Sequence, residues 1–301
     1  KTGDFKFNFK NIEKYLKQVN DVGALVIFPQ ADIEDFGGKD LVFDEKCILA
    51  QNDFYRNIAH KNFAQNILIG DVLIRNGLVE VSEDGFFEID GKRIFVSETF
   101  VEGVECDLYV LAKNRYYAMN TYKNFVDEIK PNTDFIYVNA LGMADANIYA
   151  GGSFAKNANG ELVMQMPLCK EDVDTIDFSR IVEFCDEPVE AQVFDVTTFA
   201  LREYCENTGF KKVVLGLSGG IDSALTVALA VEAIGKENVL GILMPSMFSS
   251  EGSVTDSLKL AENLGIQTVK EPITPMFDGF MQDRERLHDL AEENLQARLR
   301  A

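Results

Sequence analysis

The sequence predicts an α/β protein of two domains, and three observations lead to this prediction. The chain has 301 residues, which is enough for two domains of ordinary size. Hydrophobic residues make up 47% of the chain and can fill two cores. Short, continuous apolar runs recur between helical patterns, and such runs are typical of strands that are covered on both faces.

The first predicted domain covers residues 1–180. An amphipathic pattern predicts a helix over residues 11–20. Apolar runs predict buried strands at 24–28, 67–70, 93–96, 107–111 and 135–139. The Gly-Gly-Ser-Phe sequence predicts a further strand at 151–154, and the Asn-Ala-Asn-Gly sequence predicts a turn at 157–160.

An acidic linker at 181–190 precedes the second predicted domain, which covers residues 191–301. The patterns predict helices at 194–205, 224–234 and 253–264 and strands at 212–216, 238–244 and 267–270. Strands that alternate with helices in this way imply a parallel sheet with right-handed crossovers.

The charge and cysteine content exclude several classes of function. The chain has 29 basic and 49 acidic residues, a net charge of −20, and such a surface repels nucleic acid. No apolar stretch approaches the roughly 18 residues of a membrane span. The five cysteines are scattered and the chain has two histidines, so neither a disulfide framework nor a zinc site is expected. We therefore expect a reduced, cytoplasmic protein.

A glycine-rich turn joins a predicted strand to a predicted helix in the second domain. The turn consists of Gly216, Leu217, Ser218, Gly219, Gly220, Ile221, Asp222 and Ser223. The paired glycines permit backbone torsions that let successive N–H groups converge on an anion. The start of the next helix adds positive partial charge. Asp222 does not suit a bare phosphate, but it suits a Mg²⁺ ion that bridges it to phosphates.

This turn differs from the better-known phosphate loops, because no lysine follows its glycines and it lacks the G-x-G-x-x-G spacing. An ordinary glycine turn is the alternative interpretation. The pattern S-G-G-x-D-S resembles the ATP-pyrophosphatase family, whose members split ATP between the α- and β-phosphates. The resemblance implies that ATP and Mg²⁺ are bound here, with Asp222 as a metal ligand.

The residues that follow narrow the resemblance to NAD synthetases. The run Met244, Pro245 and Ser246, followed by Ser249 and Ser250, resembles NAD synthetases and not the GMP or asparagine synthetases that share the loop. The resemblance implies amidation of deamido-NAD, an adenine contact through the backbone of Met244, and a homo-oligomer. An ordinary core methionine is compatible with the same position.

Two residues near the end of the sequence match family positions that contact deamido-NAD. Asn294 and Arg298 are four residues apart and therefore share one face of a helix. The alternative is a solvated amphipathic helix with Glu–Arg pairs. The family continues past position 301 with further contacts, including a second acidic Mg²⁺ ligand, so we expect this domain to be incomplete at its C-terminus.

The first domain resembles the nitrilase-type glutaminase domain that is fused to many NAD synthetases. The similarity lies in residues 23–29, in Asp40 and Leu41, in residues 137–139 and in residues 151–154. The resemblance implies a nitrilase-like αββα sandwich, followed by a doubly wound parallel-sheet ATP-pyrophosphatase domain.

The catalytic residues of that glutaminase family are not matched. Gln30 stands where the family has a glutamate base, and Ser97 stands where it has a cysteine nucleophile. The segment that should carry a lysine is shortened to residues 75–87 and has none. Cys106 is interpreted as a buried cysteine at a strand edge rather than as a substitute nucleophile.

We therefore expect an inactive glutaminase domain and free ammonia as the nitrogen source. Two alternatives remain open at this stage. One is a glutamine-hydrolysing NAD synthetase, and the other is a scaffold or regulatory homologue without catalysis. Nucleic acid and membrane are not expected partners in any of these interpretations.

Overall fold

The computed structural model describes residues 4–31, 43–144, 146–282 and 289–300. The chain divides into two units, Lys1–Val196 and Thr197–Ala301, and each is an α/β structure with its own core. Asp40 and Leu41, which carry part of the resemblance described above, lie outside the described residues.

The first unit contains two large sheets with helices on their outer faces, and a small antiparallel sheet. Its elements are α1 (Phe5–Leu16), β1 (Leu25–Phe28), α2 (Glu45–Lys61), β2 (Asn66–Ile69), β3 (Val72–Arg75), β4 (Leu78–Val81), β5 (Phe86–Ile89), β6 (Lys92–Ser97), β7 (Leu108–Leu111), α3 (Tyr122–Glu128), β8 (Asp134–Tyr137), β9 (Leu141–Ala144), β10 (Asn147–Ala150), β11 (Phe154–Lys156) and β12 (Leu162–Gln165). One large sheet has the order β1-β2-β3-β4, the other has the order β12-β11-β8-β7-β6-β5, and β9 and β10 form the small sheet. Strands β6, β7 and β8 run parallel.

The strand β2 shows why its sequence is apolar without interruption. Ile67 and Ile69 face one side and pack in a core with Ile58 of α2. Leu68 faces the other side and packs with Val110 of the second sheet. Alternate residues of one strand thus fill two different cores, as expected for a sheet that is covered on both faces. The layers are helix, sheet, sheet and helix, which confirms the predicted αββα sandwich.

The predicted helix at 11–20 was shifted, since α1 is Phe5–Leu16. The side chain of Asp4 starts the helix early by accepting a hydrogen bond from the backbone N–H of Phe7 at 3.0 Å. The sequence patterns also missed α2 entirely. That helix begins after Asp44, whose carboxylate accepts hydrogen bonds from the backbone N–H groups of Lys46 and Cys47.

The shortened segment at 75–87 forms strands rather than a plain connection. β3 pairs with β4 and β5 pairs with β6, both antiparallel. Asn76 and Gly77 have φ values of +50° and +75°, and Asp90 and Gly91 have +51° and +75°. Two successive positive φ angles mark the tight hairpin turn that Asn-Gly and Asp-Gly favour.

A buried lysine holds the end of α3 in place. The ammonium group of Lys156 donates hydrogen bonds to the carbonyl oxygens of Val126 and Ile129, both at 2.7 Å. Burial lowers the pKa of Lys156 from its ordinary value. The positive charge lies where the helix dipole is negative, and it satisfies carbonyls that the helix leaves unpaired.

The second unit is a parallel sheet with helices that cross between its strands. Its elements are the part of α4 (Val189–Thr208) that follows Val196, β13 (Val213–Gly216), α5 (Ile221–Ile234), β14 (Val239–Leu243), α6 (Glu251–Leu264), β15 (Gln267–Lys270), α7 (Thr274–Met281) and α8 (Asp289–Arg300). The strand order is β13-β14-β15, and both pairs are parallel. The α5 and α6 crossovers confirm the predicted topology. The helix predicted at 194–205 is α4, which starts earlier and extends further.

Within the described ranges, no helix is long and apolar enough to cross a lipid bilayer. All five cysteines are free thiols.

Candidate functional site

The glycine-rich turn lies between the end of β13 and the start of α5, at the carboxyl edge of the parallel sheet. Its anchor is Leu217, which is buried and donates its backbone N–H to the carbonyl of Ile242 at 2.8 Å. The side chain of Leu217 packs over Gly241, where an added Cβ would come within 2.6 Å of Leu217 Cδ1. A side chain at position 241 would therefore displace the buried Leu217 side chain, and Gly241 was not predicted from the sequence to support the turn.

The backbone of the turn takes a conformation that demands glycine. Gly219 has a φ of +78° and lies directly against the backbone of Ser253 in α6. Gly220 follows in an extended conformation and starts α5 without a side-chain cap. The first N–H groups of α5 consequently have no capping side chain and remain available to an anion.

Two serine hydroxyls fasten this turn to itself. Ser218 Oγ and Ser223 Oγ are 3.0 Å apart, and Ser223 Oγ also donates to the carbonyl of Gly220 at 2.9 Å. The backbone N–H of Gly220 donates to Ser218 Oγ at 3.2 Å. These bonds hold the loop in one shape before any ligand binds, which limits the entropy that binding must remove.

Asp222 lies in the first turn of α5 and is exposed beside the loop. Among the described residues, no group of three or more acidic, histidine or cysteine side chains could hold a metal ion. Mg²⁺ commonly uses one or two carboxylates and completes its shell with water and substrate phosphates. Asp222 and a nucleotide triphosphate together fit that pattern, so Asp222 is suited to hold Mg²⁺ only when a nucleotide is bound.

A cavity of about 330 Å³ opens next to this loop. Its lining consists of Gly216, Leu217, Ser218, Leu243, Met244, Pro245, Ser249, Ser253, Val254 and Arg300. The volume lies at the small end of the range typical of ligand pockets. The structure thus brings Met244 and the glycine loop to the same cavity. The absence of a side chain at Gly216 makes room for Met244, whose Cε lies 3.2 Å from where a Cβ would be.

The helix α8 is joined to the rim of this cavity by hydrogen bonds. The guanidinium of Arg300 donates from Nε to the Met244 carbonyl at 3.1 Å. The hydroxyl of Ser246 donates to Gln296 Oε1 at 2.8 Å. Neither Gln296 nor Arg300 is among the site residues predicted from the sequence. Their spacing of four residues was the available signal, but it does not show which face of a helix meets a cavity.

Asn294 and Arg298 do share one face of α8, as predicted, but both are exposed. At about 100° per residue, their face points away from the face that carries Gln296 and Arg300. The structure therefore does not place Asn294 and Arg298 in the lining of the cavity that contains Met244.

In the first unit, Gln30 is buried at the end of β1, 6% exposed. Its side-chain Nε2 donates to Glu98 Oε1 at 3.4 Å, and its backbone carbonyl accepts from Asn114 Nδ2 at 2.9 Å. Gly70 packs against it so closely that an added Cβ would come within 2.9 Å of Gln30 Cγ. Gln30 is thus packed tightly in the first unit. Its side chain is an amide, whereas a general base at this position would need a carboxylate.

Ser97, at the end of β6, directs its hydroxyl toward Tyr109 and Thr99. The Ser97 and Tyr109 hydroxyl oxygens are 2.7 Å apart. Ser97 Oγ also lies 2.7 Å from the carbonyl oxygen of Thr99. A hydroxyl held by these partners has no base to take its proton.

A glutamate and a lysine meet next to Gln30, and neither was predicted from the sequence as a site residue. Glu98 accepts a hydrogen bond from Lys113 Nζ at 3.0 Å. Burial acts to raise the pKa of Glu98, but the bonds from Lys113 and Gln30 outweigh it and hold that pKa below its ordinary value. The two residues follow the parallel neighbours β6 and β7, whose carboxyl ends lie at one edge. The expectation that β6 and β7 are parallel neighbours would have predicted that Glu98 and Lys113 meet.

Cys106 is half-buried before β7, and its Sγ lies 4.0 Å from the Val104 carbonyl. Burial raises the pKa of the Cys106 thiol, so its reactive thiolate form is disfavoured.

Comparison with known proteins agrees with this architecture. Residues 193–301 match the NAD synthase family. The chain is 42% identical over 182 residues to the glutamine-dependent NAD(+) synthetase of Synechocystis sp., a match that covers 56% of this chain and 33% of that relative. It is 25% identical over 393 aligned positions to the Aquifex aeolicus enzyme of the same name, covering 99% of this chain and 69% of that relative.

The fold itself also has a solved counterpart. The structure of glutamine-dependent NAD+ synthetase from Acinetobacter baumannii, in complex with ADP, aligns with 99% of this chain at a TM-score of 0.86 and 24% identity, and the match covers 68% of that chain. Each unit therefore has the α/β fold of the matching part of that synthetase structure. The chain spans about a third of the length of the Synechocystis relative.

The unit with the S-G-G-x-D-S loop thus matches the NAD synthase family, and the chain as a whole is similar in sequence and fold to two-domain glutamine-dependent NAD synthetases.

Proposed function

We propose that this protein converts deamido-NAD to NAD in an ATP-dependent amidation. One observation carries the proposal: Ser218, the first residue of the S-G-G-x-D-S loop, and Met244 line a single cavity in the unit that matches the NAD synthase family. Several curated relatives carry the name of this activity. The ADP in the Acinetobacter baumannii structure supports an adenine nucleotide as the ligand of the cavity.

The reaction has two steps. The nicotinate carboxylate of deamido-NAD attacks the α-phosphorus of ATP, forms an acyl adenylate and releases pyrophosphate. Ammonia then attacks the acyl carbon, leaving NAD and AMP. Neither step needs a nucleophile from the protein, so the chain acts mainly by orientation, which can contribute on the order of 7–11 kcal/mol.

The glycine loop is the part of the chain suited to the first step. The N–H groups at the start of α5 would donate to phosphate oxygens, and the hydroxyls of Ser218 and Ser223 already hold the loop in shape. Mg²⁺, when held by Asp222 and the nucleotide, would neutralise charge on the departing pyrophosphate. Because the loop does not rearrange to bind, its donors are in place when that charge develops.

Asn294 and Arg298 are our proposed contacts for deamido-NAD. Both are exposed on one face of α8, where an amide and a guanidinium can together bind a phosphate or carboxylate. Substituting either residue by alanine should raise KM for deamido-NAD and leave KM for ATP unchanged. An equal rise in both constants would contradict the assignment.

We further propose that free ammonia is the nitrogen donor. Gln30 cannot accept a proton, and the hydroxyl of Ser97 is held by Tyr109 and Thr99. The alternative is glutamine, which the names of the relatives favour. The Aquifex alignment runs over 393 positions whereas this chain has 301 residues, so that relative has segments that this chain lacks.

The test is to incubate the full-length protein with ATP, Mg²⁺ and deamido-NAD, with ammonium or glutamine supplied separately, and to measure NAD. We expect NAD with ammonium and none with glutamine. NAD with ammonia-free glutamine would refute the nitrogen assignment, and no NAD with either donor would refute the reaction itself.

A further inference from the structure

We propose that Ser246 is a positioning residue, whose hydroxyl holds α8 against the rim of the cavity and prepares both substrate sites before either substrate binds. The inference deepens the proposed function and rests on it, because it takes the cavity as the ATP site and the outer face of α8 as the deamido-NAD site. Ser246 follows β14 and is not among the described residues that line the cavity. Its influence on the substrates would therefore pass through its neighbours.

The hydroxyl of Ser246 uses its full capacity for hydrogen bonds. It donates to Gln296 Oε1 at 2.8 Å and accepts from the backbone N–H of Phe248 at 3.2 Å. Arg300 Nη2 approaches the same oxygen at 3.4 Å. A hydroxyl has one donor and two acceptor lone pairs, so these three partners occupy all of them. Two of the partners belong to α8, and this one oxygen therefore links the helix to the segment after β14.

The segment that carries Ser246 is itself fixed. The backbone N–H of Ser246 donates to Ser249 Oγ at 2.9 Å, and the N–H of Ser249 donates to the Ser246 carbonyl at 3.1 Å. The carbonyl of Pro245 accepts from the N–H of Ile273, just before α7, at 3.0 Å. Pro245 and Ser249 both line the cavity, on either side of Ser246 in the chain. The hydroxyl thus connects α8 to residues that shape the cavity.

The two faces of α8 serve the two proposed sites. Gln296 is buried on the face toward the rim, whereas Asn294 is exposed on the opposite face. Apart from the bond with Ser246, no hydrogen bond of the Gln296 side chain is recorded within the described ranges. If α8 moved away, a buried amide oxygen would lose its donor, which is unfavourable. The bond therefore favours one position of α8, in addition to the packing of α8 on α7.

This arrangement has a consequence for the affinity of both substrates. A ligand that binds only one position of a helix loses apparent affinity in proportion to the molecules in which the helix lies elsewhere. In the wild type, the Ser246 bonds keep α8 in the competent position. Without the hydroxyl, each substrate alone would bind more weakly, and the first to bind would restore the position for the second.

The experiment is calorimetric titration of the full-length protein with α,β-methylene-ATP and Mg²⁺, with and without saturating deamido-NAD, and the converse titration. The methylene bridge prevents release of pyrophosphate, so binding is measured without turnover. In Ser246→Ala, each affinity measured alone should fall on the order of tenfold. Saturating deamido-NAD should return the affinity for the ATP analogue to within about threefold of the wild-type value. With ATP itself, both KM values should rise and kcat should stay near that of the wild type.

Three further variants separate this role from others. Gln296→Leu should reproduce the losses, and the double variant with Ser246→Ala should lose no more than either single variant, because both remove one bond. Ser246→Thr keeps the hydroxyl and should restore wild-type affinities. Ser257→Ala is the matched control, since the Ser257 hydroxyl is buried on α6 with no partner recorded in the described part of the chain, and both affinities should stay unchanged.

A loss for the ATP analogue that deamido-NAD does not reverse would overturn the proposal, because it would indicate direct contact with the nucleotide. Unchanged affinities in Ser246→Ala would overturn it as well. Thermal unfolding shows whether each variant is folded, and Gln296→Leu decides the question if Ser246→Ala is not. A wild type that binds both ligands but forms no NAD would refute the reaction alone, since the affinities still decide the role of Ser246.

Discussion

Gly219 and Ser253 are in such close contact that a Cβ at position 219 would come within 2.6 Å of the Ser253 carbonyl oxygen and 2.7 Å of its Cα. The obstacle is backbone, which cannot move aside as a flexible side chain can. The loop and the first turn of α6 therefore determine each other's position, and both contribute residues to the lining of the cavity.

This contact predicts that Gly219→Ala will abolish ATP binding and destabilise the second unit. The φ of +78° alone costs a non-glycine residue roughly 1–2 kcal/mol, and the collision with Ser253 adds to that cost. Calorimetry with ATP and denaturant unfolding measure the two effects.

Gly209→Ala is the matched control. Gly209 has a nearly identical φ of +79°, but an added Cβ would meet nothing within 4 Å. It should show the torsional cost and normal ATP binding. If both variants lose equal stability and both bind ATP, the contact between the loop and α6 has no functional importance.

Asp222→Ala is expected to lower kcat/KM by a factor on the order of a hundred or more, because the Mg²⁺ on the departing pyrophosphate loses its protein ligand. The fold should persist, since an exposed acidic residue in a first helical turn contributes only about 0.3–1 kcal/mol. Steady-state NAD formation and thermal unfolding are the measurements.

Glu232→Ala removes the same charge from the other end of α5, where the side chain is exposed, and should leave turnover unchanged. Wild-type turnover in Asp222→Ala would remove the metal assignment.

The double variant Gln30→Glu, Ser97→Cys is expected to remain unable to hydrolyse glutamine. A thiol at position 97 would inherit the direction of the serine hydroxyl, toward Tyr109 and Thr99. A carboxylate at position 30 would lie next to Glu98, and like charges at that distance favour protonation of one of them. Release of glutamate from glutamine is the readout, with a thiol-reactive probe to confirm the new cysteine.

Measurable glutamine hydrolysis by this double variant would show that the missing side chains, rather than the geometry around them, prevent the reaction.

Lys156→Met should destabilise the first unit by about 1–3 kcal/mol, because two carbonyl oxygens at the end of α3 lose a buried, charged donor. Lys123→Met is the control, because Lys123 lies on α3 itself and forms an exposed ion pair with Asp127. The loss in this control should be below about 1 kcal/mol. Denaturant unfolding compares the two, and equal losses would contradict the capping role of Lys156.

The sequence predicted the buried strands well because their residues satisfy two cores at once. Ile67 and Leu68 alternate between the helix side and the sheet side, so the apolar run is continuous and distinctive. The glycine loop was predictable for a similar reason, since its composition follows from its backbone. Gly219 has to be glycine both for its φ and for its contact with Ser253.

Relations between distant elements were not predictable in this way. Glu98 and Lys113 come together through the parallel pairing of β6 and β7, which local patterns do not specify. The sequence also did not show which side of α8 meets the cavity, because Asn294 and Gln296 are both polar but lie on opposite faces of the helix. The turn at Asn76 and Gly77 was a readable hairpin signal that the sequence analysis overlooked.

The most direct test of the central claim is to identify the products of ATP in a reaction with deamido-NAD, Mg²⁺ and ammonium by ³¹P NMR. If the loop binds the β- and γ-phosphates while the α-phosphorus is attacked, we expect one AMP and one pyrophosphate for each NAD formed. ADP and inorganic phosphate in their place would contradict the account.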